Sequence, residues 1–139
     1  MEAPVITAIG IQAVRLQPGA DLRDALAALP HELGFSAGFI LAAVGSLSRV
    51  RLRFAGASTV WEQAADFEIL TLSGTLGPDG PHLHMSVADA AGAVTGGHVL
   101  EGCVVRTTAE IVVGIAPDWV FRRQPDPVTG YRELNPLRR

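Results

Sequence analysis

Residues 77–103, GPDGPHLHMSVADAAGAVTGGHVLEGC, hold three of the four histidines and six of the fifteen glycines of the 139-residue chain. The tetrapeptide 77–80 is a strong turn signal, and residues 81–87 after it are typical of a strand. Residues 89–92 then predict a four-residue hairpin turn, after which residues 93–100 return antiparallel. The segment therefore predicts a β-hairpin that carries a cluster of histidines.

His82 and His84 lie two residues apart on the first strand of this hairpin. Side chains at positions i and i+2 of a strand point to the same face, so the two imidazoles stand side by side. With His98 as a third ligand, the set suits a divalent metal, zinc first, and leaves one coordination position open. The plainer alternative is a surface strand on which the histidines share no role.

The pairing register decides whether His98 can join the other two histidines. If Ala88 pairs with Ala93, His98 points away from them. One extra residue on one strand, such as a β-bulge at glycine 92, 96 or 97, would turn His98 to the same face. The sequence thus permits a three-histidine site and does not require one.

Three carboxylates, Glu68, Glu101 and Glu110, could assist such a site, but the sequence spacing brings none of them to the histidines. Glu110 stands in an apolar strand, where Arg106, four positions earlier, is the predicted ion-pair partner. His31 has no candidate ligand near it in sequence and is expected to be incidental. No nucleophile motif is present, so the catalytic residues, and whether the chain is an enzyme, stay open.

The composition bounds the class of protein. Hydrophobic residues make up 48% of the chain and charged residues 18%, which indicates a globular fold, and the length suits a single domain over residues 1–139. No apolar run is long enough to span a bilayer, and the N-terminus lacks the features of a signal peptide. Cys103 is the only cysteine, which excludes an internal disulfide and favours the reducing cytoplasm; it is predicted to lie in the core.

Eleven arginines, no lysine and fourteen acidic residues give the chain a net charge of −3. This acidic balance argues against free-standing nucleic-acid binding, which usually needs a basic patch. Arg49, Arg51 and Arg53 alternate with Val50 and Leu52. The alternation favours the solvated face of a half-buried strand over a ligand site.

The rest of the chain predicts an α+β fold in which a mostly antiparallel sheet packs on one helical region. Strands are predicted over 8–16, 38–44, 48–54, 66–76 and 103–115, with 38–44 buried on both faces. Asp21 is the predicted helix cap, Pro30 predicts a kink or a division into two short helices, and Gly34 ends the helix. The tail from residue 117 carries four prolines and is expected to be mostly irregular.

Four stretches resemble the domain shared by plants and prokaryotes, the PPC domain. They are RLQPGADLRDAL (15–26), DFEILTLSGTL (66–76), PHLHMSVADAAGAVTGGHVLEGCVVRTTAEIVV (81–113) and PDPVTGYREL (125–134). The third stretch is the most specific, because its histidines, glycines and Thr-Ala-Glu motif follow in order with the gaps of the family. The resemblance extends over nearly the whole chain.

The resemblance implies a compact, mostly antiparallel domain that assembles as a homotrimer. Plant members are nuclear DNA-binding regulators whose AT-hook, an Arg-Gly-Arg-Pro core, enters the minor groove; this sequence has no such core. The plant partner-contact motif Gly-Arg-Phe-Glu-Ile-Leu corresponds to residues 65–70, where Ala65 and Asp66 replace Gly-Arg. Some prokaryotic members look like metal binders through histidines that match His82, His84 and His98.

Two functions are therefore expected. The first is a homotrimeric, DNA-associated regulatory binding module without an AT-hook. The alternative is a metal-dependent small-molecule-binding protein or enzyme that uses His82, His84 and His98.

Overall fold

The computed structural model describes residue 4, residues 6–56 and residues 58–139. Within these residues the chain forms one helix and eight strands. They are β1 (Gly10–Leu16), α1 (Leu22–Leu33), β2 (Gly38–Arg53), β3 (Val60–Leu76), β4 (His82–Ala88), β5 (Val94–Val99), β6 (Val104–Ile115), β7 (Trp119–Pro125) and β8 (Arg132–Arg138). The expected α+β class, with a mostly antiparallel sheet and one helix, is confirmed.

Six strands form one antiparallel sheet in the order β1-β6-β2-β3-β4-β5. The end of β5 also pairs with the end of β2, through Leu52 with Val99 and Arg53 with His98. Strands β2, β3, β4 and β5 therefore close on themselves as a small barrel, whereas β1 pairs with β6 at the open end of the sheet. The closure brings the end of β2 beside the histidine hairpin.

Helix α1 begins where the sequence predicts. The Asp21 carboxylate accepts a hydrogen bond from the backbone N–H of Asp24 at 3.0 Å, and Gly34 ends the helix in the left-handed conformation at φ 72°. The expected division at Pro30 is wrong, because this residue lies in the last turn and its carbonyl accepts the N–H groups of Gly34 and Phe35. Among the described residues, no helix has the length and apolarity to cross a bilayer.

The two strands expected over 38–44 and 48–54 are one strand, β2. Gly45 lies within it at φ 156°, at an irregular stretch of the pairing with β6, where the Thr108 carbonyl leaves no room for a Cβ atom. The expectation that 38–44 is buried on both faces is also wrong. Leu41 is 44% exposed and Val44 is 59% exposed, because they face away from the core.

The tail, expected to be irregular, forms the hairpin β7–β8. Pro125 and Pro136 are tolerated because each strand of a two-stranded ribbon has one side without hydrogen bonds. Backbone N–H groups fasten the hairpin to the body of the protein: Phe121 donates to the Ser36 carbonyl at 2.9 Å, and Arg123 donates to the Asp79 carboxylate at 2.9 Å.

The core lies between α1 and the inner face of the sheet. Its fully buried side chains include Leu22, Leu26, Leu47, Val50, Leu52, Leu83, Val87, Val99, Val105, Ile111 and Val113. Cys103 is buried among them as expected, and burial raises the pKa of its thiol. Burial of this apolar surface is the main favourable term in folding.

The expected ion pair between Arg106 and Glu110 is not formed. The Nε atom of Arg106 lies 3.1 Å from a carboxylate oxygen of Asp66 instead. Four residues of a strand span about 13 Å, so two side chains at that spacing do not meet.

Candidate functional site

His84 and His98 are direct partners across β4 and β5. The expected four-residue turn is wrong, because Ala88 pairs with Val94 and the turn spans the five residues 89–93. The additional turn residue changes the parity of β5, so His98 points to the same face as His84. The register that the sequence left open is therefore settled within the turn, without a bulge in either strand.

The side chain of Asp89 organises this five-residue turn. Its carboxylate accepts hydrogen bonds from the backbone N–H groups of Ala91 and Ala93, each at 2.9 Å. The Asp89 N–H donates to the Ala93 carbonyl at 3.0 Å, and the N–H of Gly92, at φ 80°, donates to the Asp89 carbonyl at 2.9 Å. Glycine adopts such a positive φ without steric cost.

The three histidines form one cluster on the outer surface of the hairpin. Ligand atoms of His82, His84 and His98 all lie within 4.8 Å of one another. The ring centroids are 4.9 Å apart for His82 and His84, 5.3 Å for His82 and His98, and 5.8 Å for His84 and His98. Leu83 and Met85, which alternate with them, are buried in the core.

Among the described residues, no carboxylate joins this cluster. Glu68 pairs with Ala88 at the far end of β4, and Glu110 pairs with Arg15 on β1. The Oε1 atom of Glu101 lies 3.8 Å from the Nη1 atom of Arg23. The three acidic residues considered from the sequence are therefore not ligands in this arrangement, and the fourth histidine stays exposed in the last turn of α1.

One row of cross-strand partners passes through the site. Arg53 on β2 pairs with His98, His98 pairs with His84, and His84 pairs with Ser73 on β3. Directly paired residues of antiparallel strands lie on the same face, so the row places Arg53 on the histidine side of the sheet. Arg49 and Arg51 pair with Glu62 instead, as a solvated strand face would.

Gly97 permits the close approach of β5 to β2. A Cβ atom at this position would lie 2.7 Å from the Arg53 carbonyl oxygen, which real Cβ atoms do not tolerate. At Gly96 the corresponding distance, to the Met85 carbonyl, is 3.1 Å. The Gly-Gly pair before His98 therefore has a steric role in closing the barrel beside the site.

Two open cavities of several hundred Å³ meet at the histidines, beside a third of about 190 Å³. The larger, about 790 Å³, lies between the hairpin and the segment after β2, and the smaller, about 420 Å³, lies under β7–β8. Both are lined by Arg53, His82, His98 and Tyr131. The smaller cavity also holds Arg23, Arg123, Arg132, Asp79 and Glu133.

The surroundings favour the neutral form of two of the imidazoles, those of His82 and His98. Burial, and then the Arg53 guanidinium, lower the pKa of His98 to about 4. Burial, and then the Arg123 guanidinium, lower the pKa of His82. Both effects disfavour a protonated ring, and a neutral imidazole nitrogen is the form that binds metals.

The sequence did not predict most of the charged residues that line the cavities beside the histidines. The alternation over residues 49–53 did place Arg53 on an outer face, but only the closure of β5 onto β2 puts it beside His98. Arg123, Tyr131 and Glu133 come from the tail that was expected to be irregular. The paired segments WVFRRQP and RELNPLR, separated by a short turn, are the signal that could have indicated a hairpin there.

The sequence profile of the Plants and Prokaryotes Conserved (PCC) domain matches residues 7–117. The chain belongs to this family. The matched region contains β1 to β6 and all three clustered histidines, whereas the β7–β8 hairpin follows it. This confirms the resemblance to the PPC domain, which is the same family under its other abbreviation.

Solved structures share the fold of this PCC domain protein. A hypothetical protein from Salmonella enterica is 38% identical, with a TM-score of 0.93 over 97% of this chain and 98% of its own. The metal-containing protein AF0104 from Archaeoglobus fulgidus is 24% identical, with a TM-score of 0.79 over 96% and 99%. A Bacteroides thetaiotaomicron protein, provisionally named DNA-binding, is 21% identical, with a TM-score of 0.77 over 90% and 91%.

A longer protein contains a stretch that is similar in sequence to this PCC domain protein. The bifunctional protein GlmU from Synechococcus sp. (strain JA-2-3B'a(2-13)) is 50% identical over 125 residues. The match covers 90% of this chain and 20% of that protein, so this chain spans about a fifth of the length of its curated relative.

Proposed function

We propose that the chain is a metal-dependent small-molecule-binding protein or enzyme, with His82, His84 and His98 as ligands of a divalent metal. The observation that carries this proposal is the convergence of one ligand atom from each histidine within 4.8 Å of the others. That convergence depends on the five-residue turn, which sets the register that pairs His98 with His84. Histidines without a shared role would need no such register.

The donor set suits a zinc ion. Three nitrogens that each lie 2.0–2.1 Å from a tetrahedral ion are about 3.3 Å apart, so the rings need to approach by at most about 1.5 Å. Rotation about the side-chain torsions of three surface imidazoles covers such a distance. An all-imidazole set suits zinc, copper, iron and nickel, whereas magnesium and calcium require oxygen ligands.

The protein's own residues would prepare the site for chemistry on a ligand. A divalent ion held by three histidines would supply Lewis acidity at its remaining open position. Burial and the neighbouring guanidinium groups keep His82 and His98 neutral and available as ligands. The cavities of about 790 and 420 Å³ that meet at the cluster give room for a small molecule. The name of the Archaeoglobus fulgidus protein, metal-containing, agrees with this proposal.

Metal analysis of the purified protein tests the proposal. After zinc loading and desalting, inductively coupled plasma mass spectrometry is expected to find about one zinc per chain. The triple variant His82→Ala, His84→Ala, His98→Ala is expected to lose it. The matched control is His31→Ala, which removes the one histidine outside the cluster. Equal zinc content in all three proteins would refute the site.

A DNA-associated regulatory module is the second candidate, favoured by the name of the Bacteroides thetaiotaomicron protein. The pairing of Arg49, Arg51 and Arg106 with carboxylates argues against this function, because these guanidinium groups are already neutralised. The net charge of −3 points the same way. Duplex binding measured at increasing salt separates the two candidates, since phosphate contacts give a steep salt dependence. Absence of any salt-dependent binding would remove the DNA function.

We infer a homotrimer, which is the assembly implied by the PPC resemblance. The outer surface of β1, β6 and β2 supports it, because this surface exposes Ile11 at 66% and Val44 at 59%. Such apolar patches are typical of subunit contacts. Light scattering coupled to size-exclusion chromatography is expected to give three times the chain mass. Val44→Glu is expected to dissociate the assembly, whereas the same change at exposed Val128 is not.

We also infer a reducing compartment, the cytoplasm, for this chain. Its single cysteine is a free thiol buried in the core, and no disulfide contributes to stability. Fractionation of the source cells would test this, and recovery in an extracellular fraction would refute it.

A further inference from the structure

Guanidinium groups converge on the histidine cluster from four separate elements. Arg23 comes from α1, Arg53 from β2, Arg123 from β7 and Arg132 from β8, and all four line the smaller cavity together with His82 and His98. This concentration is notable in a chain whose net charge is negative. It indicates that the cavity is built for negative charge.

Arg53 is the arginine nearest to the histidines in the sheet. It is the direct strand partner of His98, and its side chain makes no ion pair or hydrogen bond with any described residue. Arg49, four residues earlier on the same face, is paired with Glu62. Arg53 therefore offers all its donors to a ligand in the two cavities that it lines.

Arg123 is held in position from the opposite side of the cluster. Its Nη2 atom donates to the Thr75 hydroxyl at 2.8 Å, and Thr75 is the strand partner of His82. No carboxylate of the described residues pairs with this guanidinium. Arg132 donates to the Arg123 carbonyl at 3.3 Å, which ties β8 to the same wall. A fixed guanidinium with free donors loses little entropy on binding an oxyanion.

The carboxylates in the cavity do not cancel this charge. The Asp79 carboxylate pairs with the Arg122 guanidinium, whose Nε atom lies 3.2 Å from Oδ2, and accepts a hydrogen bond from the backbone N–H of Arg123. Glu133 is the other acidic residue of the lining. Arg23 is paired with Glu101, so the guanidinium groups of Arg53, Arg123 and Arg132 remain in the lining. They face two carboxylates of the described residues, and one of these, Asp79, is already paired with Arg122.

The larger cavity adds an aromatic and apolar wall. Phe54, 40% exposed, stacks on Trp61 with ring centroids 6.0 Å apart and lines this cavity with Gly96 and Gly97. Tyr131, 69% exposed, lines both cavities. An inorganic anion alone would not need this surface, whereas an organic group would cover it.

We propose that the histidine site accepts a small organic anion whose phosphate or carboxylate group is bound by Arg53 and Arg123 and whose organic part lies against Phe54 and Tyr131. This inference rests on the proposed metal function, since it names the class of ligand that the same site would take. It assigns a role to the β7–β8 hairpin, which follows the family match at residues 7–117. Arginine suits both groups, because its planar fork binds their oxygens in pairs.

Isothermal titration calorimetry at fixed ionic strength tests the proposal, with inorganic phosphate and acetate as separate probes. Each probe is titrated into metal-free protein and into zinc-loaded, desalted protein. Arg53→Gln and Arg123→Gln are expected to weaken binding of the preferred probe about tenfold or more, the size of a lost hydrogen bond between charged groups. Arg49→Gln is the matched control, because it removes a guanidinium from the same strand face outside the cavities.

The outcomes separate this proposal from the metal site. Binding weakened in both pocket variants, with zinc content and the thermal unfolding midpoint unchanged, supports the anion pocket, and the preferred probe identifies phosphate or carboxylate. Equal binding by wild type, Arg53→Gln and Arg123→Gln overturns it even if zinc binds. Loss of zinc from the triple histidine variant is scored independently, so either proposal can fail alone. No binding of either probe to any form also overturns the anion pocket.

Discussion

His98 stands between His84 and Arg53 in one cross-strand row, although β4 and β2 are far apart in sequence. One partner is a candidate metal ligand, and the other is a guanidinium that pairs with no carboxylate of the described residues. The position of His98 therefore depends on two separate features, the length of the turn at 89–93 and the closure of β5 onto β2. Each can be changed without touching a histidine.

Deletion of Ala91 tests the dependence on turn length. A four-residue turn restores the other parity and points His98 away from His84. Zinc affinity, measured by competition with a chromogenic chelator, is expected to fall at least tenfold, as when groups that orient metal ligands are removed. Ala91→Gly keeps the length and serves as the control. Unchanged affinity in the deletion variant would show that the turn does not set the register.

Gly97→Ala tests the barrel closure. Its Cβ atom would lie 2.7 Å from the Arg53 carbonyl, so the backbones of β5 and β2 must separate. We expect the free energy of unfolding, measured in urea, to fall by about 1–3 kcal/mol, the usual cost of an overpacked site. Gly96→Ala, where the closest contact is 3.1 Å, is expected to cost less. The reverse order would contradict the close approach at Gly97.

The pKa of His98 predicts how the metal-free protein responds to acid. Its folded pKa is about 4, below the ordinary value of 6.5, so between these values the unfolded chain binds a proton that the native protein does not. The free energy of unfolding should therefore be constant above about pH 6.5 and decrease as the pH falls towards 4.

Urea denaturation with a chelator present, from pH 7.5 to 4.5, measures this slope. His98→Asn is expected to make the slope shallower without abolishing it, because the pKa of His82 is lowered as well. His31→Gln, which removes the histidine outside the cluster, is the control. An identical slope in His98→Asn and wild type would exclude His98 as its source.

Cys103 is expected to be unreactive in the native protein. It is fully buried, burial raises its pKa, and its sulfur interacts with the backbone of Arg51. Because the thiolate is the nucleophile, iodoacetamide at pH 8 should label the thiol in denaturant and leave it unlabelled without denaturant, as judged by intact mass. Rapid native labelling would contradict its place in the core.

The local signals in the sequence predicted local structure well. Asp21 and Gly34 bound α1 as expected, because a cap and a left-handed glycine act within one turn of the chain. The strand carrying His82 and His84 was also predicted, since alternation needs no distant partner. The division predicted at Pro30 was wrong because a proline in the sequence does not show how near it lies to the end of a helix. Here it lies in the last turn of α1.

Long-range features could not be predicted from the same signals. The sequence of residues 88–94 is compatible with a four-residue turn and with a five-residue turn. The hydrogen bonds of the Asp89 side chain stabilise the five-residue turn. The contact of Arg53 with the histidine hairpin follows from a barrel closure between distant segments. Arg123 and Tyr131 reach the site because two proline-containing strands pair as a ribbon, where local propensity argues against strands.

Strand β1 pairs with β6, with Gly10 opposite Ile115. On a ribosome that adds about 5–20 residues per second, roughly 5–20 s pass between the synthesis of these two residues. During that interval β1 has no strand to join, whereas β4 and β5 are complete before β6 is synthesised. The histidine hairpin can therefore form on the nascent chain before β1 has a partner, and the sheet is completed last at its β1 edge.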